Sequence, residues 1–193
     1  MQERGNSMTC VIGLIDKKSN KIYIGADSIG KADDAVAIRA DEKVFIKDKF
    51  IIGFTSSYRM GQLLRYKLKI PEYSNGKTVF EYMVTDFVDA VRTCLKDGGF
   101  ASKDKETECG GSFLIGFKGR LFVIESDYQV EEVRLPFNAV GSGADIAKGV
   151  MYSTETYYPK TRIISALKAA GFFLSSVRRP FIIKSIKIES EAK

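Results

Sequence analysis

The sequence predicts an α+β fold, a four-layer αββα sandwich, on three observations. Apolar segments arrive in antiparallel groups joined by short polar turns; helical segments arrive in pairs; and the order along the chain is four strands, two helices, several strands, two helices and a last strand. Strands grouped in this way pair as hairpins, whereas a parallel doubly wound sheet needs a crossover helix between successive strands. The two helix pairs then cover the outer sides of two packed sheets.

Thr9 to Ile15 and Lys21 to Ala26 are apolar strands joined by the polar turn Asp16-Lys17-Lys18-Ser19-Asn20, a hairpin. Lys43 to Ile46 and Phe50 to Phe54, rich in β-branched and aromatic residues, form a second pair around a tight turn at Lys47-Asp48. From Tyr58 to Leu68, apolar Met60, Leu63, Leu64 and Leu68 recur at helical spacing, and Pro71 ends that helix. Thr78 with Glu81 makes a capping box for a longer helix, striped by Val79, Met83, Phe87, Val91, Cys94 and Leu95 and stopped by Gly98-Gly99. Ala101 to Gly111 reads as a charged loop. Ser112 to Phe117, Leu121 to Glu125 and Tyr128 to Val133 follow as a meander with a Lys118-Gly119 turn. After a strand at Phe137 to Val140 and the turn Gly141-Ser142-Gly143 come helices at Ala144 to Tyr152 and Thr161 to about Leu174. Phe181 to Ile188 closes the chain as an edge strand.

Composition excludes several function classes. The chain of 193 residues is long enough for one sizeable domain, and no run approaches the ~18–20 apolar residues that span a bilayer. The polar opening MQERGNS is unlike a signal peptide, which points to a cytoplasmic protein with no membrane partner. Cys10, Cys94 and Cys109 show no CxxC spacing, so neither a disulfide framework nor a metal site is suggested. No nucleotide loop or other cofactor motif is visible. The formal net charge of +6 is spread along the chain rather than clustered, which favours a solvated surface over nucleic-acid binding. The chain has no histidine, so every imidazole-based mechanism is excluded. A hydrolase built from these residues takes its base from a lysine, a carboxylate or an amine.

Several short motifs fall in order on the expected elements: Thr9-Cys10-Val11-Ile12-Gly13 opening the first strand, Gly25-Ala26-Asp27-Ser28 closing the second, and Lys43-Val44 sixteen residues after the aspartate. Gly53-Phe54-Thr55-Ser56-Ser57 precedes the first helix, and Gly141-Ser142-Gly143 precedes the third. In this order the chain resembles the proteasome β subunits and HslV-type peptidases of the N-terminal-nucleophile (Ntn) hydrolase superfamily, nearly end to end. The resemblance implies a threonine peptidase with Thr9 as nucleophile, its own α-amine as base, Lys43 and Asp27 beside it, and Ser142 bonded to the amine. It further implies an oxyanion turn at Thr55-Ser56 and Ser175 as a companion serine.

The chemistry is self-consistent. An unperturbed threonine hydroxyl is a weak nucleophile, and an α-amine with a pKa of ~7.7–8.0 on the same residue can take its proton near neutrality. An ammonium held by a carboxylate favours the developing alkoxide. Two bland readings stand beside this: Lys43 and Asp27 as an ordinary ion pair, and Ser142 as a turn residue leading into the helix at Ala144. Cys10 is a remote alternative nucleophile.

Three departures from the family pattern separate an active from an inactive chain. Ser56 stands where glycine is usual, Gly171 is followed by Phe172-Phe173 where an aspartate is expected, and Met8 precedes Thr9 where self-processing members carry glycine. The expected organisation is residues 1–8 as a propeptide, tag or mis-assigned start, with excision after Met8 exposing Thr9, and residues 9–193 as one domain. By resemblance, the protein self-associates into a ring, takes peptide or unfolded-protein substrates, and leaves ATP use to a separate unfoldase. The competing expectation is a catalytically inactive shell subunit.

Overall fold

The computed structural model describes residues 9–32, 35–74, 76–104 and 107–189; the expected leader, residues 1–8, lies outside them. β1 (Val11–Asp16) and β2 (Lys21–Ala26) pair antiparallel from Val11↔Ala26 to Asp16↔Lys21. Asp16 shapes their turn by accepting the Ser19 amide at 3.1 Å, and Asn20 takes a left-handed φ of 53°, which asparagine tolerates. β3 (Ile29–Ala32) and β4 (Ala35–Ile38) then form a small hairpin that the sequence does not announce. Its alanines are weak strand formers, and of its apolar residues Val36 and Ile38 are exposed while Ile29 is buried.

β5 (Val44–Lys47) and β6 (Phe50–Phe54) pair from Val44↔Gly53 to Lys47↔Phe50, turning at Asp48-Lys49 one residue later than expected. α1 (Tyr58–Tyr66) is capped by Ser57, whose hydroxyl accepts the Arg59 amide. It stops before Leu68 because the amides of Lys67 and Leu68 both close onto Leu63 O, so Pro71 lies beyond a helix that has already ended.

The capping box of Thr78 and Glu81 opens α2 (Val79–Tyr82), which runs through a π-helical turn (Met83–Phe87) into α3 (Val88–Asp97). The π turn has a cause legible in the spacing. Val79, Met83, Phe87, Val91 and Leu95 recur every four residues, overshooting the ~3.6-residue turn, and one wider turn lets all five stay buried.

The expected charged loop instead pairs as β7 (Ser102–Asp104) with β8 (Thr107–Cys109), in register from Ser102↔Cys109 to Asp104↔Thr107. β9 (Phe113–Phe117) and β10 (Arg120–Ile124) are joined through Lys118-Gly119 at φ 45° and 74°, the doubly left-handed turn suited to hairpin twist. β11 (Val130–Glu132), β12 (Phe137–Val140), α4 (Ala144–Ser153), α5 (Pro159–Phe173) and β13 (Ile182–Lys187) complete the order.

Two antiparallel sheets result, ordered β12-β1-β2-β13 and β11-β10-β9-β6-β5, with β13 at an edge as expected. Buried apolar side chains form three clusters. Val11, Ile22 and Ile24 of the first sheet meet Val44, Ile51, Leu114 and Val123 of the second. The other face of the first sheet packs Ile12, Leu14 and Phe137 on α4 and α5 through Ala147, Met151, Ile163 and Leu167. The other face of the second sheet packs Phe50, Phe54, Phe117 and Phe122 on α1, α2 and α3 through Leu63, Leu64, Tyr82 and Val91. Phe50 and Phe117 stack at 4.0 Å between centroids, 6° from parallel.

Phe117 is 1% exposed and sits among Phe50, Tyr73 and Tyr82. Phe117→Ala should therefore lower unfolding free energy by about 3–5 kcal/mol. Urea denaturation checks this, and a loss below about 1 kcal/mol would contradict the packing described.

Candidate active site

Strand register brings the candidate residues together. Val11 pairs with Ala26 and with Val140, so Thr9 and Cys10, just before β1, lie beside Asp27, just after β2, and beside Gly141-Ser142, just after β12. In the second sheet, the Phe54 amide donates to Lys43 O at 3.0 Å and the Thr55 amide to Ser112 O at 3.1 Å, carrying the ladders one residue past β5, β6 and β9. Thr9, Asp27, Lys43, Thr55, Ser112 and Ser142 thus all sit at strand ends along the same side of the two sheets.

Lys43 reaches from the second sheet to the first. Its Nζ donates to Thr9 Oγ1 at 2.7 Å and to Asp27 Oδ2 at 2.8 Å. The Thr9 hydroxyl donates to Asp27 Oδ1, which also accepts the Cys10 amide at 3.0 Å, while the Ile29 amide reaches Oδ2 at 3.2 Å. Thr9, Asp27 and Lys43 are all buried, at 2%, 1% and 4% exposure. Burial pushes the Lys43 ammonium below its ordinary pKa, and the Asp27 carboxylate opposes that shift. The Tyr58 ring stands 5.7 Å from the ammonium, with its hydroxyl donating to Ile29 O at 3.2 Å.

Ser142 holds the backbone of the same threonine. The Thr9 amide donates to Ser142 Oγ at 3.3 Å, and Ser142 Oγ donates to Thr9 O at 3.2 Å. Helix capping is not its role: the N-cap of α4 is Gly143, without a side-chain cap, and the Gly143 amide donates to Thr9 O at 3.2 Å. Gly141, at φ 98°, permits this closeness, since a Cβ there would lie 2.4 Å from Thr9 O.

The serine that joins Ser142 is Ser176, one residue past the expected position. Their hydroxyls are 2.9 Å apart, whereas Ser175 is exposed. α5 ends at Phe173 with Leu174 extended, and the following turn points Ser175 outward while Ser176 and Val177 turn in. No periodic signal marks which serine of the pair faces inward.

The Thr55-Ser56 turn also differs from expectation. The Thr55 amide is engaged by Ser112 O, which also accepts the Thr55 hydroxyl at 2.7 Å, so Thr55 N–H is not an oxyanion donor. Ser56 reaches φ 56° without being glycine, the left-handed conformation that the usual glycine would supply. Its hydroxyl accepts the Ser112 amide at 3.2 Å. Ser112 was not legible as a site neighbour, because only β-ladder register places it opposite Thr55.

Cys10 is fully buried in the apolar cluster beneath α4 and α5, and its thiol is pushed up to about 12, first by burial and then by the Asp27 charge. A thiol so unwilling to ionise does not compete as nucleophile. Among the described residues, no group of His, Cys, Asp or Glu side chains is placed to hold a metal, and no helix is long and apolar enough to cross a membrane.

No protein-family model matches the chain, and no curated protein matches it. Solved structures do. Thiobacillus denitrificans BPH in complex with epoxomicin superposes with a TM-score of 0.77 at 19% identity, covering 94% of this chain and 100% of that one. The fold is proteasome-like. Eukaryotic HslV from Trypanosoma brucei gives 0.64 at 15% identity over 93% and 99% of the two chains. Anbu from Hyphomicrobium sp. strain MC1 gives 0.65 at 15% over 95% and 88%. The antiparallel sheets and grouped helices of the present chain are those of this proteasome-like fold.

Iodoacetamide at about pH 8 should leave Cys10 of the native protein unmodified while labelling half-buried Cys109, and should reach Cys10 only after denaturation. Peptide mapping by mass spectrometry checks this; early labelling of Cys10 would restore it as a candidate nucleophile.

Proposed function

We propose that the chain is an N-terminal threonine hydrolase that cleaves peptide bonds once residues 1–8 are removed. The observation that carries this reading is the buried triangle in which Thr9 Oγ1 contacts both Lys43 Nζ and the Asp27 carboxylate. We read the layers as an αββα sandwich, which one apolar cluster between the sheets and one on each outer side, beneath helices, supports. On the same reading, residues 9–193 are one domain.

In the chain as written, the Thr9 nitrogen is bonded to Met8 and is an amide, with no basic lone pair. Removal of residues 1–8 makes it an amine placed against Ser142. That amine takes the hydroxyl proton as Thr9 Oγ1 adds to the substrate carbonyl carbon, and returns it to the leaving nitrogen when the C–N bond breaks. The resulting ester is hydrolysed by water through the same amine, which regenerates Thr9. Lys43 donates to the attacking oxygen as charge develops, and Asp27 keeps that ammonium paired against the cost of burial. Thr55 N–H is engaged by Ser112 O, so the turn does not offer it to an oxyanion. Ser142 and Ser176 orient the amine.

Self-association, a peptide or unfolded-protein substrate and a separate ATPase unfoldase follow from the family resemblance. The Anbu complex of Pseudomonas aeruginosa forms a helical assembly. Here Tyr152, Tyr158, Phe172 and Phe173 of the α4–α5 region are more than two-thirds exposed, a surface suited to contact with another subunit. A second reading, an inactive shell subunit, is favoured by one observation: Met8 acylates the nitrogen that would serve as base.

Intact-mass analysis of protein from its native source decides between the two. The hydrolase reading expects a chain beginning at Thr9 that gains the mass of epoxomicin, with the adduct lost in Thr9→Ala; a retained leader and no adduct establish the shell reading. In processed protein, Lys43→Ala should lower kcat/KM by about 10³-fold or more, and Thr9→Ala combined with Lys43→Ala should be no worse than Thr9→Ala, because the two act as a unit. Ser176→Ala should cost about tenfold with Ser175→Ala near wild type; peptide-hydrolysis kinetics across this series test the assignment.

A further inference from the structure

A hollow of about 350 Å³ is walled by Thr55, Ser112, Glu125, Val140, Gly141 and Ser142. Its size falls at the low end of the ~300–1,000 Å³ of ligand pockets, suited to one side chain rather than a large ligand. Ser142 and Gly141 connect it directly to the Thr9 backbone. Glu125 is the one ionisable side chain among the residues lining it.

Glu125 is fixed in place. It follows β10, its amide donates to Gln129 O at 2.9 Å, and its carbonyl accepts the Tyr128 amide at 3.0 Å. Ser112 Oγ donates to Oε2 at 3.2 Å. Oε1 accepts no hydrogen bond from the described residues, and no lysine or arginine among them lies within 4.0 Å of the carboxylate. The nearby Lys43 is committed to Asp27 and Thr9. A half-buried carboxylate without a cation gains from one supplied by a ligand, and ionised partners make the stronger hydrogen bonds.

Ser112 ties this carboxylate to the candidate chemistry. Its carbonyl holds Thr55, its amide donates to Ser56 Oγ, and its hydroxyl holds Glu125. Gly111 makes the approach possible, since a Cβ there would stand 2.7 Å from Met60 Sδ and 3.0 Å from Ser56 Cβ. A group bound at Glu125 is therefore registered against the turn and against Thr9.

We propose that Glu125 selects substrates with lysine or arginine adjacent to the scissile amide, receiving the ammonium or guanidinium in this hollow. The inference rests on the hydrolase reading of Thr9. The formal net charge of +6 repels cationic peptides in general, so a preference for them is local in origin.

The test uses processed protein and peptides that share one core sequence, with Lys, Gln or Glu at each position flanking the cleaved bond. Cleavage sites and kcat/KM are read by mass spectrometry. At one flanking position, Lys should exceed Gln by about tenfold, the worth of one charge-assisted contact. Glu125→Gln should bring that ratio to about one, and Glu125→Lys should invert it in favour of Glu. Equal turnover of Lys and Gln peptides by wild type, or a preference that survives both variants, overturns the assignment while leaving the hydrolase reading intact. Cleavage of none of the peptides overturns the hydrolase reading and the assignment together.

Discussion

One buried contact governs the candidate site: the Lys43 ammonium of the second sheet against the Asp27 carboxylate of the first. At 1% exposure, a carboxylate is tolerated only when its oxygens are satisfied. Asp27 collects the Lys43 ammonium, the Thr9 hydroxyl and the amides of Cys10 and Ile29. As a source of stability such a pair is poor, because desolvation offsets much of the attraction and an apolar pair of similar size often does as well. Its physical effect is positional. It fixes an ammonium within hydrogen-bond reach of one hydroxyl and spans the two sheets to do so.

Everything else at the site extends from strand register. Because side chains alternate along a strand, a slip of one residue in β1 against β2 or β12 would exchange Thr9 with Cys10, moving the hydroxyl into the apolar cluster and the thiol into the polar one. The burial of Cys10 beneath α4 and α5 and the polar contacts of Thr9 are thus two sides of one register. The apolar residues that set it, Ile12 and Leu14 on one face and Val11 on the other, hold the site without touching it.

The sequence made the frame legible where local signals were strong. The opening hairpin, the Thr78 capping box, the Lys118-Gly119 turn and the closing strand each have chemistry that acts within a few residues. It failed where strong strand formers are few, as in the alanine-bearing β3–β4 pair and the charged β7–β8 pair. At the site, Thr9, Asp27, Lys43 and Ser142 were legible because they form motifs in order. Ser176 was not, because the inward member of a serine pair is chosen by how the chain leaves α5. Ser112 was not, because it is brought in by a ladder partner remote in sequence, and Glu125 was not, because it reaches the site only through Ser112.

The hydrogen bond between the Thr9 amide and Ser142 is formed while Met8 is still attached. An amide nitrogen donates but has no lone pair to accept a proton, so under the hydrolase reading the leader behaves as a protecting group on a finished catalyst. On that reading, cutting one bond turns a nitrogen that can only donate into one that can also accept, at a position already bonded to Ser142.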